Sequence, residues 1–171
     1  MNEPRGRVNS PSSPGPGSEP SSSPPDTASF AVEAAALFAV SVSLLLVGIV
    51  SGTLIRHGVQ AAPALAAGVL ASRGIPWTRC AAIPVFAFWL FIMALIWLHV
   101  TGLAHLVKVR FTATEIGLTI VIGTSSAGGL VASLRARHRP IRWSGLVVIV
   151  LSGAIQIGVM WLSLRPILAH R

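Results

Sequence analysis

The sequence AAIPVFAFWLFIMALIWLHVTGLAHLV occupies residues 81–107 and contains no Lys, Arg, Asp or Glu. As a helix this run reaches about 40 Å at ~1.5 Å per residue, which exceeds the ~30 Å hydrocarbon core of a bilayer. A helix is the expected form, because it pairs every backbone N–H and C=O internally where no water is present. The run therefore predicts a membrane-spanning helix.

Three more runs have the same character. Residues 30–55 are interrupted only by Glu33, residues 111–134 carry Glu115 near their start, and residues 143–164 are uncharged. With the first run they predict an all-α integral membrane protein whose four transmembrane helices form a small bundle.

The composition of the 171-residue chain agrees with this prediction. Charged residues make up 11% and apolar residues 53%, and the mean hydropathy is +0.73. A soluble domain has about 25% charged residues. These values exclude a soluble enzyme and, despite a pI near 11.9, a nucleic-acid binder. One cysteine, Cys80, excludes a disulfide-rich secreted domain. The expected surrounding is the lipid bilayer.

Two parts of the chain are not predicted as spans. Residues 1–29 contain 18 Pro, Ser or Gly and are predicted to be a disordered tail, leaving 30–171 as the transmembrane domain. Residues 58–72 are rich in Ala and include Gln60 and Pro63. A helix there would reach about 22 Å, less than the hydrocarbon core, so we predict a short interfacial or re-entrant helix.

The basic residues near the span ends predict the orientation. With four spans, loops 56–80 and 135–142 share one side and hold seven Lys or Arg, against four on the other side. We expect a multi-pass protein of the cell membrane with both termini outside. If 58–72 also crossed, the split would be six against five. The cytoplasmic basic loop would contain Arg135, Arg137, Arg139 and Arg142.

Four ionisable side chains are predicted within or near the spans, and the four-span topology gathers them toward the outer side. They are Glu33, His99, His105 and Glu115. Ionisable groups in membrane helices indicate function by default, yet each also has an ordinary explanation. Glu33 lies in a first helical turn, where a carboxylate is favoured, and Glu115 has capping-box spacing to Thr112.

No cofactor or metal is expected. His99 and His105 are six residues apart, about 120° around a helix, which is unsuited to clasping one ion. Haem held by two histidines needs a partner for His99 at its own depth, whereas His57 and His138 are predicted on the opposite side.

Small residues mark predicted packing faces, since they let membrane helices approach closely. Gly48 and Gly52 form a GxxxG pattern, and Thr124, Gly128 and Ala132 recur at steps of four. They pack either within the chain or against a partner subunit. A second set of residues in the third span should share one face of its helix as a stripe: Glu115, Thr119, Ile122, Ser126, Gly129 and Ser133. The second span is bulky and has few small residues, so much of its surface should face lipid.

The sequence contains no hydrolase, kinase or dinucleotide motif. We therefore expect a non-enzymatic accessory or structural subunit that packs against other membrane helices, of a partner protein or of a second copy. One alternative is a proton or small-ion translocator that uses His99 and Glu115. Another is a redox subunit that shares haem or a quinone with a partner chain.

Overall fold

The structure, a computed structural model, describes residues 27–103, 112–135 and 143–165. Within these ranges the chain forms five helices, and all of them except α2 are long and apolar enough to cross a membrane. The prediction of an all-α membrane protein with four such helices is confirmed. The helices are α1 (Thr27–Val50), α2 (Leu54–Ser72), α3 (Thr78–Val100), α4 (Ala113–Arg135) and α5 (Trp143–Ser163).

The helix ends differ from the predicted ones where glycine allows a turn. Gly52 has φ +69 and Gly102 has φ +75, a backbone region that side chains disfavour. As a result α1 ends at Val50 and α3 ends at Val100. Some predicted features lie outside the described residues: most of the tail, His105, and Arg137, Arg139 and Arg142 of the basic loop.

Helix α2 is longer than the predicted 58–72 segment and lies lengthwise on α1. A Cβ added to Gly48 would be 2.8 Å from the Cβ of His57, and one added to Gly68 would be 3.3 Å from that of Leu37. The 19 residues of α2 reach about 28 Å. The close antiparallel packing is possible because one face of α2 is formed by small residues, the buried Ala61, Ala64, Ala67, Gly68 and Ala71.

Contacts among the other helices define two ends of the bundle. Arg79 Nη2 donates to Ser29 Oγ at 2.7 Å, so α3 starts where α1 starts. Ser152 Oγ donates to the Ala81 carbonyl at 2.7 Å, so α5 runs parallel to α3. We call the end with the starts of α1, α3 and α5 the N-terminal end. The opposite end, with the turn between α1 and α2, is the turn end.

The inner face of α4 matches the predicted stripe, since Thr119, Ile122, Ser126, Gly129 and Ser133 are all buried. The prediction for α3 is wrong in part, because Phe86 and Trp89 are buried whereas Phe91 points outward. The reason is Gly129, whose missing side chain leaves room for the Phe86 ring between α3 and α4.

Two adjacent glycines of α4 give a matched test of this contact. Gly129→Ala should lower stability by about 1–3 kcal/mol, because the new methyl group would overlap the Phe86 ring. Gly128→Ala should be neutral or stabilising, since within the described chain nothing lies within 4 Å of the added Cβ. Thermal unfolding in detergent measures both. A Gly129→Ala protein that melts at or above the wild-type temperature would contradict this packing.

Candidate functional site

A cavity of about 200 Å³ lies at the turn end, among all five helices. A dry cavity of ~150 Å³ holds benzene, so this space accommodates a group at least as large as one six-membered ring. Its walls are formed by Leu44 and Val47 of α1, Arg56, His57 and Gln60 of α2, Trp89, Ile92, Met93 and Ile96 of α3, Glu115, Thr119 and Ile122 of α4, and Met160 of α5.

Glu115 contributes a fixed carboxylate to the cavity. Its Oε2 accepts from the Thr112 N–H at 2.8 Å and from the Thr112 hydroxyl at 3.0 Å. The Glu115 N–H donates back to Thr112 Oγ1 at 3.3 Å. This is the capping box predicted from the sequence, and it holds the side chain at the start of α4. The ordinary explanation of Glu115 therefore holds, although the same carboxylate also lines the cavity.

His57 is held by the first turn of its own helix. Its Nδ1 lies 3.1 Å from the Thr53 carbonyl oxygen and 3.0 Å from Thr53 Oγ1. A carbonyl oxygen only accepts, so that contact is satisfied when Nδ1 carries the proton. Nε2 of the neutral ring is then available as an acceptor.

Gln60 ties α2 to α5 beside the cavity. Its Nε2 donates to Ser163 Oγ at 2.8 Å and approaches Met160 Sδ at 3.3 Å. The Ser163 hydroxyl donates to the Met160 carbonyl at 2.7 Å. Gln60 is not among the functional residues predicted from the sequence. A polar amide in an otherwise small, apolar helix was the available signal, because membrane helices use such groups for contacts with one another.

Two residues that line the cavity carry a buried side-chain donor without a hydrogen-bond partner among the described residues. Trp89 is 3% exposed, and its indole Nε1 is buried with no hydrogen-bond partner among the described residues. Arg56 Nε, on the neighbouring α2, is in the same state within that part of the chain. Both atoms only donate. A buried donor without an acceptor costs about 1–3 kcal/mol, so these two N–H groups favour a molecule that brings acceptor atoms.

The structure separates the predicted polar residues. His99 and Glu115 lie at the turn end, but His99 is not among the residues that line the cavity. Glu33 lies at the N-terminal end, so the prediction that it shares a side with them is wrong. The four-span prediction treated residues 56–80 as a loop that stays on one side. In the structure α2 runs antiparallel to α1 and returns the chain to the N-terminal end before α3 begins. For the same reason His57 lies at the turn end.

The predicted packing glycines have different surroundings. Gly48 packs against Leu54 and His57 of the same chain, and Gly52 lies in the turn beyond α1. Gly48 of the GxxxG pattern therefore makes an intramolecular contact, whereas no described atom lies within 4 Å of a Cβ added to Gly52. On α4, Thr124 and Gly128 are exposed on the outer surface and Ala132 is half-buried. Arg135 is exposed at the end of α4.

Within the described residues, no group of three or more His, Cys, Asp or Glu is arranged to hold a metal ion. No family model, curated protein or solved structure matches this chain. The geometry of the bundle is therefore the basis for a functional proposal.

Proposed function

We propose that this small membrane protein binds, without catalysing a reaction, a small apolar molecule that carries carbonyl or carboxyl oxygens. The binding site is the cavity at the turn end. The observation that supports the proposal is that two residues lining the cavity, Trp89 and Arg56, each carry a buried donor without a partner among the described residues, Trp89 Nε1 and Arg56 Nε. An acceptor oxygen from a bound molecule would supply the hydrogen bonds that these two groups lack.

The remaining walls select the body of the ligand. Ile92, Met93 and Ile122 offer an apolar surface, and Met93 and Ile122 are themselves buried. An apolar ring or short chain would bury its surface there at about 25 cal/mol per Å². Arg56 and Glu115 place opposite charges around the cavity, so a carboxylate gains little net attraction there, and a neutral carbonyl oxygen, which costs less to desolvate, suits the site better. The head ring of a quinone has this chemistry.

Binding of a short-chain benzoquinone tests the proposal. In lipid nanodiscs, Trp89→Phe and Arg56→Gln should each weaken the quinone affinity about tenfold, as expected for one lost hydrogen bond of ~1.4 kcal/mol. Trp97→Phe is the control, because Trp97 lies on the same helix but does not line the cavity. Equilibrium dialysis with labelled quinone measures the dissociation constants.

A competition experiment shows whether the cavity prefers a carbonyl or a carboxylate oxygen. Decanoate should displace the quinone less well than unlabelled quinone does, because its carboxylate costs more to desolvate than a carbonyl oxygen. Equal affinities of wild type, Trp89→Phe and Arg56→Gln, with unchanged melting temperatures, would contradict binding through these donors.

Two expectations from the sequence stay predictions. If the protein is an accessory subunit, we expect it to contact its partner through the outer face of α4, where Thr124 and Gly128 are exposed. Gly48 of α1 is less suited to this contact, because it packs against α2. A translocator that couples His99 to Glu115 would need the Glu115 carboxylate to leave its hydrogen bonds with Thr112.

We further propose that α2 crosses the membrane together with α1, because the two helices lie side by side from Gly48 to Leu37. Five crossings place the chain termini on opposite sides and replace the expectation that both lie outside. The basic split is then six to five, and the larger number, at the N-terminal end, favours a cytoplasmic N terminus. The cavity would face the outside.

Cysteine labelling tests this topology. In a Cys80→Ser background, Ser51→Cys should react with a membrane-impermeant maleimide in intact cells, whereas Ser72→Cys should react only after permeabilisation. Both positions are exposed and flank α2. The Cys80→Ser parent is the unlabelled control. Reaction of both positions from the same side would show that α2 does not cross.

A further inference from the structure

Glu33 is a fully buried carboxylate outside the turn-end cavity. It lies in the second turn of α1, it is 0% exposed, and neither carboxylate oxygen has a hydrogen-bond partner within the described residues. An ionised carboxylate in an apolar interior without a partner is strongly disfavoured, so such a group usually holds a proton or a cation. The attraction of the helix N-terminus for negative charge does not supply that partner.

The hydroxyl of Ser133 on α4, like the Glu33 carboxylate, is buried without a hydrogen-bond partner among the described residues. Some buried hydroxyls of this bundle donate to their own helix, as Ser41 does to the Leu37 carbonyl at 2.8 Å and Thr119 does to the Ile116 carbonyl at 2.7 Å. Ser133 is 0% exposed, yet its Oγ has no hydrogen-bond partner in the described part of the chain. Its oxygen is therefore available to a ligand.

The helix packing brings Ser133 and Glu33 to a similar level. Gly129 contacts Phe86, and Ser133 lies one turn nearer the N-terminal end on the same inner face of α4. Glu33 lies one turn inside Ser29, which is bonded to Arg79 at the start of α3. Helices α1 and α4 pack against each other, and Glu33 and Ser133 lie within about one turn, or ~5 Å, of the same depth.

Arg79 is the cationic group that interacts electrostatically with Glu33. Its Nη2 donates to Ser29 Oγ, and its guanidinium carbon lies 4.0 Å from the centre of the Phe30 ring. It attracts the carboxylate electrostatically, but no oxygen of Glu33 accepts a hydrogen bond from it. Arg73, which follows α2, and Arg135, which ends α4, are exposed at the same end of the bundle.

We propose that Glu33 is the carboxylate of a binding site for a small monovalent cation, H⁺ or Na⁺, with Ser133 as a further oxygen donor. Carboxylate and hydroxyl oxygens are hard ligands suited to such cations. An ionisable residue at this depth of a membrane helix is a functional group by default. The site lies at the opposite end from the proposed quinone cavity and does not depend on it.

Reaction with dicyclohexylcarbodiimide tests the site in the full chain reconstituted into liposomes. This hydrophobic reagent modifies protonated carboxyl groups within a bilayer, and peptide mass spectrometry locates the adduct. Glu33 should be modified at acidic pH, and at least about tenfold less at alkaline pH, because the ionised form does not react. Glu33→Gln should lose the adduct. Glu115, hydrogen-bonded and partly exposed, should not react and is the internal control.

Sodium distinguishes the two cations. If the site binds Na⁺, sodium chloride should slow the modification of Glu33 severalfold relative to choline chloride, and Ser133→Ala should reduce this protection. If it binds only H⁺, the two salts should give the same rate. Absence of a Glu33 adduct at every pH, with the Glu33 peptide detected, would overturn the proposal and indicate a permanently ionised carboxylate beside Arg79. This result is independent of quinone binding, which is measured at the other end.

Discussion

The close antiparallel contact between α1 and α2 determines where every other helix of this bundle lies. Alanine and glycine cover the face of α2 that meets α1, and their small size allows the two backbones to approach along their length. In a bilayer, where lipid is as apolar as the side chains, such close packing supplies much of the association energy between helices. Because α2 returns the chain to its starting end, α3 begins beside the start of α1.

This arrangement gives the two ends of the bundle different chemistry. The turn end brings Arg56, Glu115 and the indole of Trp89 to one cavity, whereas the N-terminal end encloses Glu33. Buried polar atoms without a hydrogen-bond partner among the described residues occur at both ends of the bundle. Residues that line the cavity contribute the indole N–H of Trp89 and the Nε–H of Arg56, and the opposite end contributes the carboxylate oxygens of Glu33. The two regions therefore suit different ligands.

Features encoded by neighbouring residues could be predicted from the sequence. The four long apolar runs, the Thr112–Glu115 capping box and the inner stripe of α4 depend only on composition and helical spacing. The position of helix α2 could not be predicted in the same way, because it depends on packing against α1 and not on the apolarity of α2 itself. Because the prediction left out the return of the chain through α2, it placed Glu33 at the same end as His99 and Glu115.

Helix α5 has few of its own residues buried, and the order of its assembly follows from this. Of its described residues only Gln156 and Ser163 are buried, while α1 to α4 enclose Phe86, Leu37 and Ile122 among themselves. Synthesis delivers α5 last, after the tightly packed interior has all its components. Its bonds from Ser152 to Ala81 and from Gln60 to Ser163 then fix its rotation and height. The rest of its described surface is largely apolar and unburied, so single substitutions there should leave the packing of α1 to α4 intact.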